Sequence, residues 1–519
     1  MLTLASALRR NVVQSRDRPA VLEPGRMRTW GEVVDRVART AAVLGSLGVG
    51  PGETFGVLSR NSARCFELVQ AGGWSGAIPV PLNHRLAAPE LAAILDHARC
   101  RRVFVEAGFL AAFDAPVLTR WRHLLVSLGD PDAPSPSDLE RMLEAARPVA
   151  SVDPAETDVA LLLYTGGTTG AAKGVPLTHR NIVSNALQVS ACVHFEADDV
   201  YLHVAPMFHS ADLLGTGVTL QGGAHAFLAQ FDPNGFVRAV ARSGATRTML
   251  APAMVGALLA GEAARGGELA SLRQIFYGSS PMPADSIRRA LERFAGVSLV
   301  QGYGLTETSP LLTLLSMASH EEALQPSGPI GRLSSAGRAL PGVDLRIADD
   351  SGRALEAGEV GEVWVRGPNV ATSYFESPQE TVHAFRDGWF RTGDVGCLDA
   401  DGYLTLLDRR KDMIITGGEN VYSVEVEAVL ARHPSVRDVA VIGVPDARFG
   451  EALLAVVVCR DGCTLGLDEM IGHCRQHIGG YKVPRRLRLV DELPRSALGK
   501  VLKSELRRRE AATAATVPP

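Results

Sequence analysis

The 519-residue sequence contains no uninterrupted apolar run near the ~18 residues that a membrane-spanning helix requires, so a span is not expected. Charge of neither sign dominates. The 53 Lys and Arg against 57 Asp and Glu leave a net charge of −4, which argues against nucleic acid or an anionic membrane as the main partner. Cysteine is sparse: seven residues, odd in number and scattered, do not make a disulfide framework, and cytoplasmic residence is the expectation. Cys459, Cys463, His473, Cys474 and His477 lie close in sequence but lack a second cysteine pair at zinc-finger spacing. His473 and His477 fall in a helical pattern and Cys459 ends a strand-like run, so these read as structural thiols and surface histidines rather than metal ligands. The start, Met1-Leu2-Thr3-Leu4-Ala5, reaches Arg9, Arg10 and Asn11 too early for the apolar core of a signal peptide. No internal repeat is visible.

What is present is the material of two or three globular domains, since the chain is too long for one simple core. With 46% hydrophobic and 21% charged residues it has an ordinary supply of side chains to fill such cores. Thr29-Trp30-Gly31-Glu32 fits a capping box, followed by an apolar face of Val33, Val37, Ala41 and Leu44. Strand patterns at 55–58, 77–80 and 102–105 then alternate with helical patterns at 63–72 and 89–97, which predicts a largely parallel, helix-covered sheet. Residues 130–137, rich in Asp, Pro and Ser, predict a surface loop. From Gly342 the texture changes to short strands at 343–347, 360–366 and 402–407 between Gly and Asp turns. Beyond Asp408, strands at 439–444 and 452–459 and a helix at 467–477 alternate on a smaller scale. Ser423 is placed to cap a helix that buries Val426, Val429 and Leu430, and residues 511–519 predict a frayed tail. The expected fold class is α/β: a large amino-terminal domain of helix-covered sheets over residues 1–407, including a β-rich subdomain at 342–407, then a small α+β domain over 408–519.

The densest chemistry follows the apolar strand pattern Val159-Ala160-Leu161-Leu162-Leu163. It feeds Thr165-Gly166-Gly167-Thr168-Thr169-Gly170-Ala171-Ala172-Lys173. The glycines let the backbone bend and approach a ligand. The hydroxyls of Thr165, Thr168 and Thr169 and the Lys173 ammonium offer donors to an anion, and the helical pattern opening at Thr178-His179 predicts a helix N-terminus close by. Together these suggest a polyphosphate cradle. It is not a P-loop, because Ala171 and Ala172 separate Gly170 from Lys173. Alone, such a Gly/Thr cluster is a surface turn. Further runs follow: Ala205-Pro206-Met207-Phe208-His209, Tyr277-Gly278-Ser279-Ser280, Gln301-Gly302-Tyr303-Gly304-Leu305-Thr306-Glu307, Arg391-Thr392-Gly393-Asp394, Asp408-Arg409-Arg410-Lys411, Gly417-Gly418-Glu419-Asn420 and Leu498-Gly499-Lys500. Taken singly they have ordinary readings: a strand-end histidine, turns, a solvated charge run, a surface lysine.

In this wording and order, over roughly residues 25–505, the runs resemble the adenylate-forming superfamily of acyl- and aryl-CoA synthetases, luciferases and peptide-synthetase adenylation domains. The resemblance implies that residues 165–173, Gly278, Ser279, Ser280, Gly302 and Gly304 line a nucleotide site. Tyr303 would stack on adenine, Thr306 donate to the α-phosphate, Asp394 accept the ribose hydroxyls and Arg409 contact ribose or phosphate. Glu307 would hold Mg²⁺, for which one carboxylate suffices beside waters and phosphates. His209 would border the acyl pocket near the reacting carboxylate, with Ser210, Ala211, Asp212, Leu213, Tyr277, Gly278 and Gly302 around it. Asp212 is read as a capping or surface carboxylate; the sharper alternative is that it reads a hydroxyl or amine on the acid. Lys500 would be the catalytic lysine of adenylation and Lys411 the pivot of a mobile carboxy-terminal domain. Gly417, Gly418 and Glu419 would form the loop that this turn brings to the coenzyme A side.

The activity so implied is ATP-dependent activation of a fatty or aromatic carboxylic acid through an acyl-adenylate, with release of pyrophosphate and transfer to coenzyme A. A transition state that gathers negative charge calls for positioned donors more than for covalent chemistry. The rival within the family is a stand-alone adenylating enzyme that serves a carrier protein or another nucleophile. A non-catalytic nucleotide-binding protein is disfavoured, because Glu307, Asp394, Arg409 and Lys500 are all present.

Overall fold

The computed structural model describes residues 2–129, 138–165, 172–261, 267–280, 282–409, 412–416, 419–446, 449–496 and 499–516; the loop expected at 130–137 lies outside them. The chain divides into two compact units. One comprises Met1–Leu333, Gly337–Asp344 and Val365–Phe390, the other Ser334–Ala336, Leu345–Trp364 and Arg391–Pro519.

In the first unit, the predicted alternation gives the strands Ile78–Pro81, Thr54–Leu58, Val103–Glu106 and Leu125–Gly129, adjacent in that order and all parallel. Parallel strands are covered on both faces and read as continuous apolar runs; Thr54–Leu58 is buried at every position. The helix Trp30–Ser46 starts as expected: Thr29 and Glu32 close a reciprocal capping box, and Val33, Val37, Ala41 and Leu44 are buried. A second sheet of nine strands among the described residues has Arg247–Leu250, Gln274–Gly278 and Ser298–Tyr303 parallel beside Val200–His203 and Ala224–Phe227. Three of the motifs lie at the carboxyl ends of Val200–His203, Gln274–Gly278 and Ser298–Tyr303. A two-stranded antiparallel hairpin, Val159–Thr165 with Lys173–Thr178, completes the unit's strands.

In the second unit, the strands Gly361–Arg366, Trp389–Leu398 and Leu404–Arg409 bear out the β-rich texture seen after Gly342. Gly450–Cys459 is the central strand of a further sheet, with Val436–Asp446 antiparallel beside it at the sheet's end. Two expectations are corrected here. The stretch expected to fray from 511 is helical as far as Thr516: it continues the helix Lys503–Thr516, whose earlier turns are held by Leu506 in the core and by the pairs Arg507–Asp412 and Arg488–Glu510 at 2.8 and 2.6 Å. Ser423 is not a cap but the first residue of the helix Ser423–Leu430; the Asp408 carboxylate accepts its N–H at 2.6 Å and its hydroxyl at 2.5 Å. Among the described residues, no helix is long and apolar enough to cross a membrane.

Candidate active site

In the hairpin that frames the glycine loop, Thr165 stands directly opposite Lys173, and its hydroxyl donates to the Lys173 carbonyl at 3.5 Å. Gly166, Gly167, Thr168, Thr169 and Gly170 lie outside the described residues. The expected helix N-terminus beside the loop is corrected. Lys173–Thr178 is a strand running back along its partner, so the helix His179–Val193 opens at the far end of the hairpin, on the order of 15–20 Å away at ~3.3 Å per residue.

The Lys173 ammonium forms an ion pair with Glu380 and lies 5.1 Å from the centroid of the Tyr374 ring. The Tyr374 hydroxyl in turn donates to Glu307 Oε1 at 2.8 Å. Lys173 and Glu307, far apart in sequence, thus meet through one tyrosine. Glu307 sits in the short 3₁₀ turn Thr306–Thr308 beyond the strand Ser298–Tyr303 and is only 7% exposed. No lysine or arginine among the described residues pairs with it, and a buried carboxylate in such a place is costly without a cation. The turn is held from outside. The Asn369 amide donates to the carbonyls of Thr308 and Leu311 at 2.9 and 3.0 Å, and Asn185 bonds both backbone groups of Leu311 at 2.8 and 3.1 Å.

Close backbone approach explains the glycines of two motifs. A Cβ on Gly278 would fall 2.2 Å from the Gly302 carbonyl oxygen on the neighbouring strand, and one on Gly304 would fall 2.0 Å from the Pro310 oxygen. Ser279 follows with φ +71°, a left-handed conformation that ends the strand sharply. Tyr303, Gly304 and Thr306 are half-buried along the same edge. The Thr306 hydroxyl is 3.4 Å from that of Ser210, which joins the predicted nucleotide turn to the predicted acyl segment.

That segment begins at His209, whose ring is tilted against Phe208 at 4.6 Å between centroids. Asn61 fixes its approach: the side-chain amide donates to the carbonyls of His203 and Ala205 at 3.1 and 2.9 Å, and its oxygen accepts the Met207 N–H at 2.9 Å. Ser210, Ala211, Asp212 and Leu213 form the 3₁₀ turn Ser210–Leu214. The reading of Asp212 as a capping or surface group is corrected. It is 8% exposed, the cap position of this turn is His209, and the Asp212 carboxylate faces His203 Nδ1 at 2.8 and 2.9 Å. Tyr277 is also displaced from its expected role. Its ring is 2% exposed within the sheet's core, and its hydroxyl donates to His320 Nε2 at 2.7 Å while His320 Nδ1–H donates to the Ser316 carbonyl. Burial pushes the Tyr277 phenol up and the His320 imidazole down from their ordinary values.

In the second unit, Asp394 is not beyond a turn but inside the strand Trp389–Leu398, directly opposite Arg409. The guanidinium Nε lies 2.9 Å from the Asp394 carboxylate, and the Asp394 N–H donates to the Thr392 hydroxyl at 3.1 Å. Lys500 is exposed at the close of a tight hairpin where the Ser496 N–H donates to its carbonyl at 2.7 Å and Gly499 takes φ +78°. Lys411, Gly417 and Gly418 lie outside the described residues; Glu419 pairs with Thr416 across a short antiparallel bridge of strands.

A family model described as AMP-binding enzyme matches residues 8–375, and one described as AMP-binding enzyme C-terminal domain matches residues 425–500. The chain belongs to the AMP-binding, adenylate-forming enzyme family. It is 39% identical to a feruloyl-CoA synthase of an Amycolatopsis species, over 94% of this chain and 95% of the relative. It is 36% identical to an indoleacetate–CoA ligase of Aromatoleum aromaticum, over 95% and 96%. The crystal structure of ATP-bound MatB from Rhodopseudomonas palustris superposes with a TM-score of 0.88 at 32% identity, covering 98% of each chain. For this AMP-binding enzyme, the sequence reading missed Asn61, Asn185, Asn369, Tyr374 and Glu380. Asn369 and Tyr374 stand in Gly367-Pro368-Asn369-Val370-Ala371-Thr372-Ser373-Tyr374, which reads as plain loop, and nothing local marks their partners more than 50 residues away.

Proposed function

We propose that this AMP-forming acid–CoA ligase activates an aromatic carboxylic acid, or failing that a fatty acid, on the face of the first unit where Lys173, Glu307, Thr306 and His209 are gathered. The observation that carries this reading is the Lys173–Tyr374–Glu307 contact, which joins the phosphate-loop motif to the proposed metal ligand. The names of the two relatives support the aromatic class.

In the first step, a carboxylate oxygen forms a bond to the α-phosphorus of ATP while the bond to pyrophosphate breaks. Lys173 and the loop threonines meet the departing phosphates, Thr306 donates to the α-phosphate, and Tyr303 and the Gly278–Ser280 turn receive adenine. Asp394 binds the ribose hydroxyls beside Arg409. Magnesium fits Glu307, a buried carboxylate whose one side-chain partner among the described residues is a phenol, and when bound it neutralises phosphate charge. Lys500 adds positive charge at the α-phosphate. His209 and residues 210–213 shape the acid's site. In the second step the coenzyme A sulfur, having lost its proton to solvent, bonds to the acyl carbon and AMP leaves. Residues 408–519 serve as the mobile domain, with Lys411 as pivot and 417–419 as the coenzyme A loop. Cytoplasmic residence, where both cosubstrates are supplied, accords with this role.

The test is a panel of cinnamic, arylacetic, benzoic and fatty acids assayed for pyrophosphate with and without coenzyme A, and for thioester. Pyrophosphate and thioester from an aromatic acid are expected. No pyrophosphate from any acid overturns the reading, and pyrophosphate without thioester moves the acceptor to a carrier protein or another nucleophile. Lys500→Ala should lose pyrophosphate release yet still convert supplied acyl-adenylate to thioester; full first-step activity in that variant removes Lys500 from its role.

A further inference from the structure

From Asp212 in the acyl segment a string of buried polar groups runs inward, and no part of the reaction above uses its two histidines or its threonine. From the Asp212 carboxylate it passes to His203 Nδ1, at 2.8 and 2.9 Å to the two oxygens. His203 Nε2 lies 2.9 Å from His225 Nδ1, and His225 Nε2 lies 3.0 Å from the Thr219 hydroxyl. The four side chains belong to residues 8%, 3%, 0% and 2% exposed, so water does not compete for these bonds. A carboxylate only accepts, so His203 Nδ1 carries the proton that binds Asp212. Whichever way the remaining protons run, every ring nitrogen has a partner. Burial, then the neighbouring His203, hold the His225 imidazole well below its ordinary pKa, which keeps that ring neutral.

The surroundings make the string rigid. His203 is stacked on Phe227 at 4.9 Å and 12°, Phe66 lies 4.6 Å from His225, and Tyr201 meets His203 edge-on at 4.9 Å. The backbone is pressed against the same rings: a Cβ on Gly215 would come 3.1 Å from both His203 and Tyr201. The string therefore ties the turn Ser210–Leu214 to the parallel strands Val200–His203 and Ala224–Phe227 immediately after His209. A carboxylate as buried as that of Asp212 would be strongly disfavoured without its imidazole partner, so the turn has one favourable position.

We propose that Asp212 is a positioning residue: through His203 and His225 it locks residues 210–214 in place, so that the acid is held against His209 without touching Asp212 itself. This rests on the reading of residues 209–213 as the acid's site. It replaces the idea that Asp212 recognises a substituent, because both carboxylate oxygens already face His203.

The experiment is steady-state kinetics of the full chain with plain, hydroxylated and amino-substituted aromatic acids, for wild type, Asp212→Ala, Asp212→Asn, His203→Ala and the double alanine variant. If wild type turns over no acid, the functional reading fails; the variants test the lock. For Asp212→Ala and His203→Ala, kcat/KM for every acid should fall about tenfold or more, with KM for ATP within about twofold. The double variant should be no worse than the worse single one. Asp212→Asn, whose amide oxygen still accepts from Nδ1–H, should recover to within about threefold of wild type. A loss confined to polar-substituted acids, a parallel rise in KM for ATP, additive losses, or no loss overturns the proposal. Should Asp212→Ala not fold, His225→Phe, which keeps a ring but removes both nitrogens, breaks the string beyond His203. A fall of about threefold is then expected, and unchanged kcat/KM refutes the lock.

Discussion

Replacing Tyr374 by phenylalanine isolates one hydroxyl. The ring that underlies Lys173 at 5.1 Å and packs on Phe385 at 5.6 Å is kept, and the bond to Glu307 Oε1 at 2.8 Å is removed. Tyr374 and Glu307 are 8% and 7% exposed, so water does not replace the lost donor cheaply. A hydrogen bond to a charged group in such a setting is worth about 1.5–3 kcal/mol. If the bond serves to fix the carboxylate for the first step, that energy converts at about 1.4 kcal/mol per decade to a fall of roughly 10–150-fold in kcat/KM for pyrophosphate release. Thioester formation from supplied acyl-adenylate should stay within about threefold, since the pyrophosphate has by then departed. Stopped-flow measurement of the two half-reactions separates these outcomes. Equal losses in both halves would mean that the hydroxyl merely supports packing, and an unchanged first half would remove Tyr374 from the site.

Two further outcomes concern the same site and a third a buried histidine elsewhere in the first unit. Glu307→Gln should nearly abolish pyrophosphate release while raising the unfolding free energy of the nucleotide-free protein by about 1 kcal/mol, as read by urea denaturation, because it removes a buried charge that no cation among the described residues pairs. Glu380→Gln frees Lys173 from a half-exposed ion pair worth about 0–1 kcal/mol, so KM for ATP should fall by up to about fivefold; a rise would show that Glu380 holds the lysine for the nucleotide rather than from it. Burial lowers the His179 imidazole to about 4, against the opposing charge of Asp158, while the Leu4 N–H donates to Nδ1 at 3.3 Å. The unfolded chain then binds the extra proton below pH 6.5, so stability is lost as pH falls, by about 2 kcal/mol between pH 7.5 and pH 5; His179→Gln should flatten that decline in denaturant titrations.

The strands of the first sheet were legible because parallel strands buried on both faces must be apolar throughout, and the cap at Thr29 and Glu32 is a local contract between residues three apart. The motifs at Gly278 and Gly304 were legible for a related reason: where a neighbouring backbone oxygen would lie about 2 Å from a Cβ, only glycine answers. What escaped depends on partners remote in sequence. A helix N-terminus was expected beside the glycine loop because helical periodicity at His179 says nothing about the direction of the strand before it. The stretch from 511 lacks an apolar stripe, yet it continues to Thr516 a helix that Leu506 and ion pairs at Arg507 and Glu510 dock ahead of it. Tyr277 has the residues of a pocket around it in sequence, but alternation along its strand turns the ring inward to His320.

Asp212 and Glu307 show why burial alone does not identify a working carboxylate. Both are nearly inaccessible, at 8% and 7%, and both lie in a short 3₁₀ turn that follows a strand of the same sheet. Asp212 faces an imidazole with both oxygens and is thereby satisfied within the fold. Glu307 has a neutral phenol, so its charge is held without a compensating one among the described residues. A fold tolerates that imbalance where a ligand cation removes it, and the price appears as stability given up in the empty state. The two acids should therefore respond oppositely to loss of charge. An amide at 212 weakens a contact that the resting protein uses, whereas an amide at 307 relieves the resting protein and removes the ligand. A Glu307→Gln variant that is both less stable and inactive would place Glu307 with Asp212, as part of the scaffold.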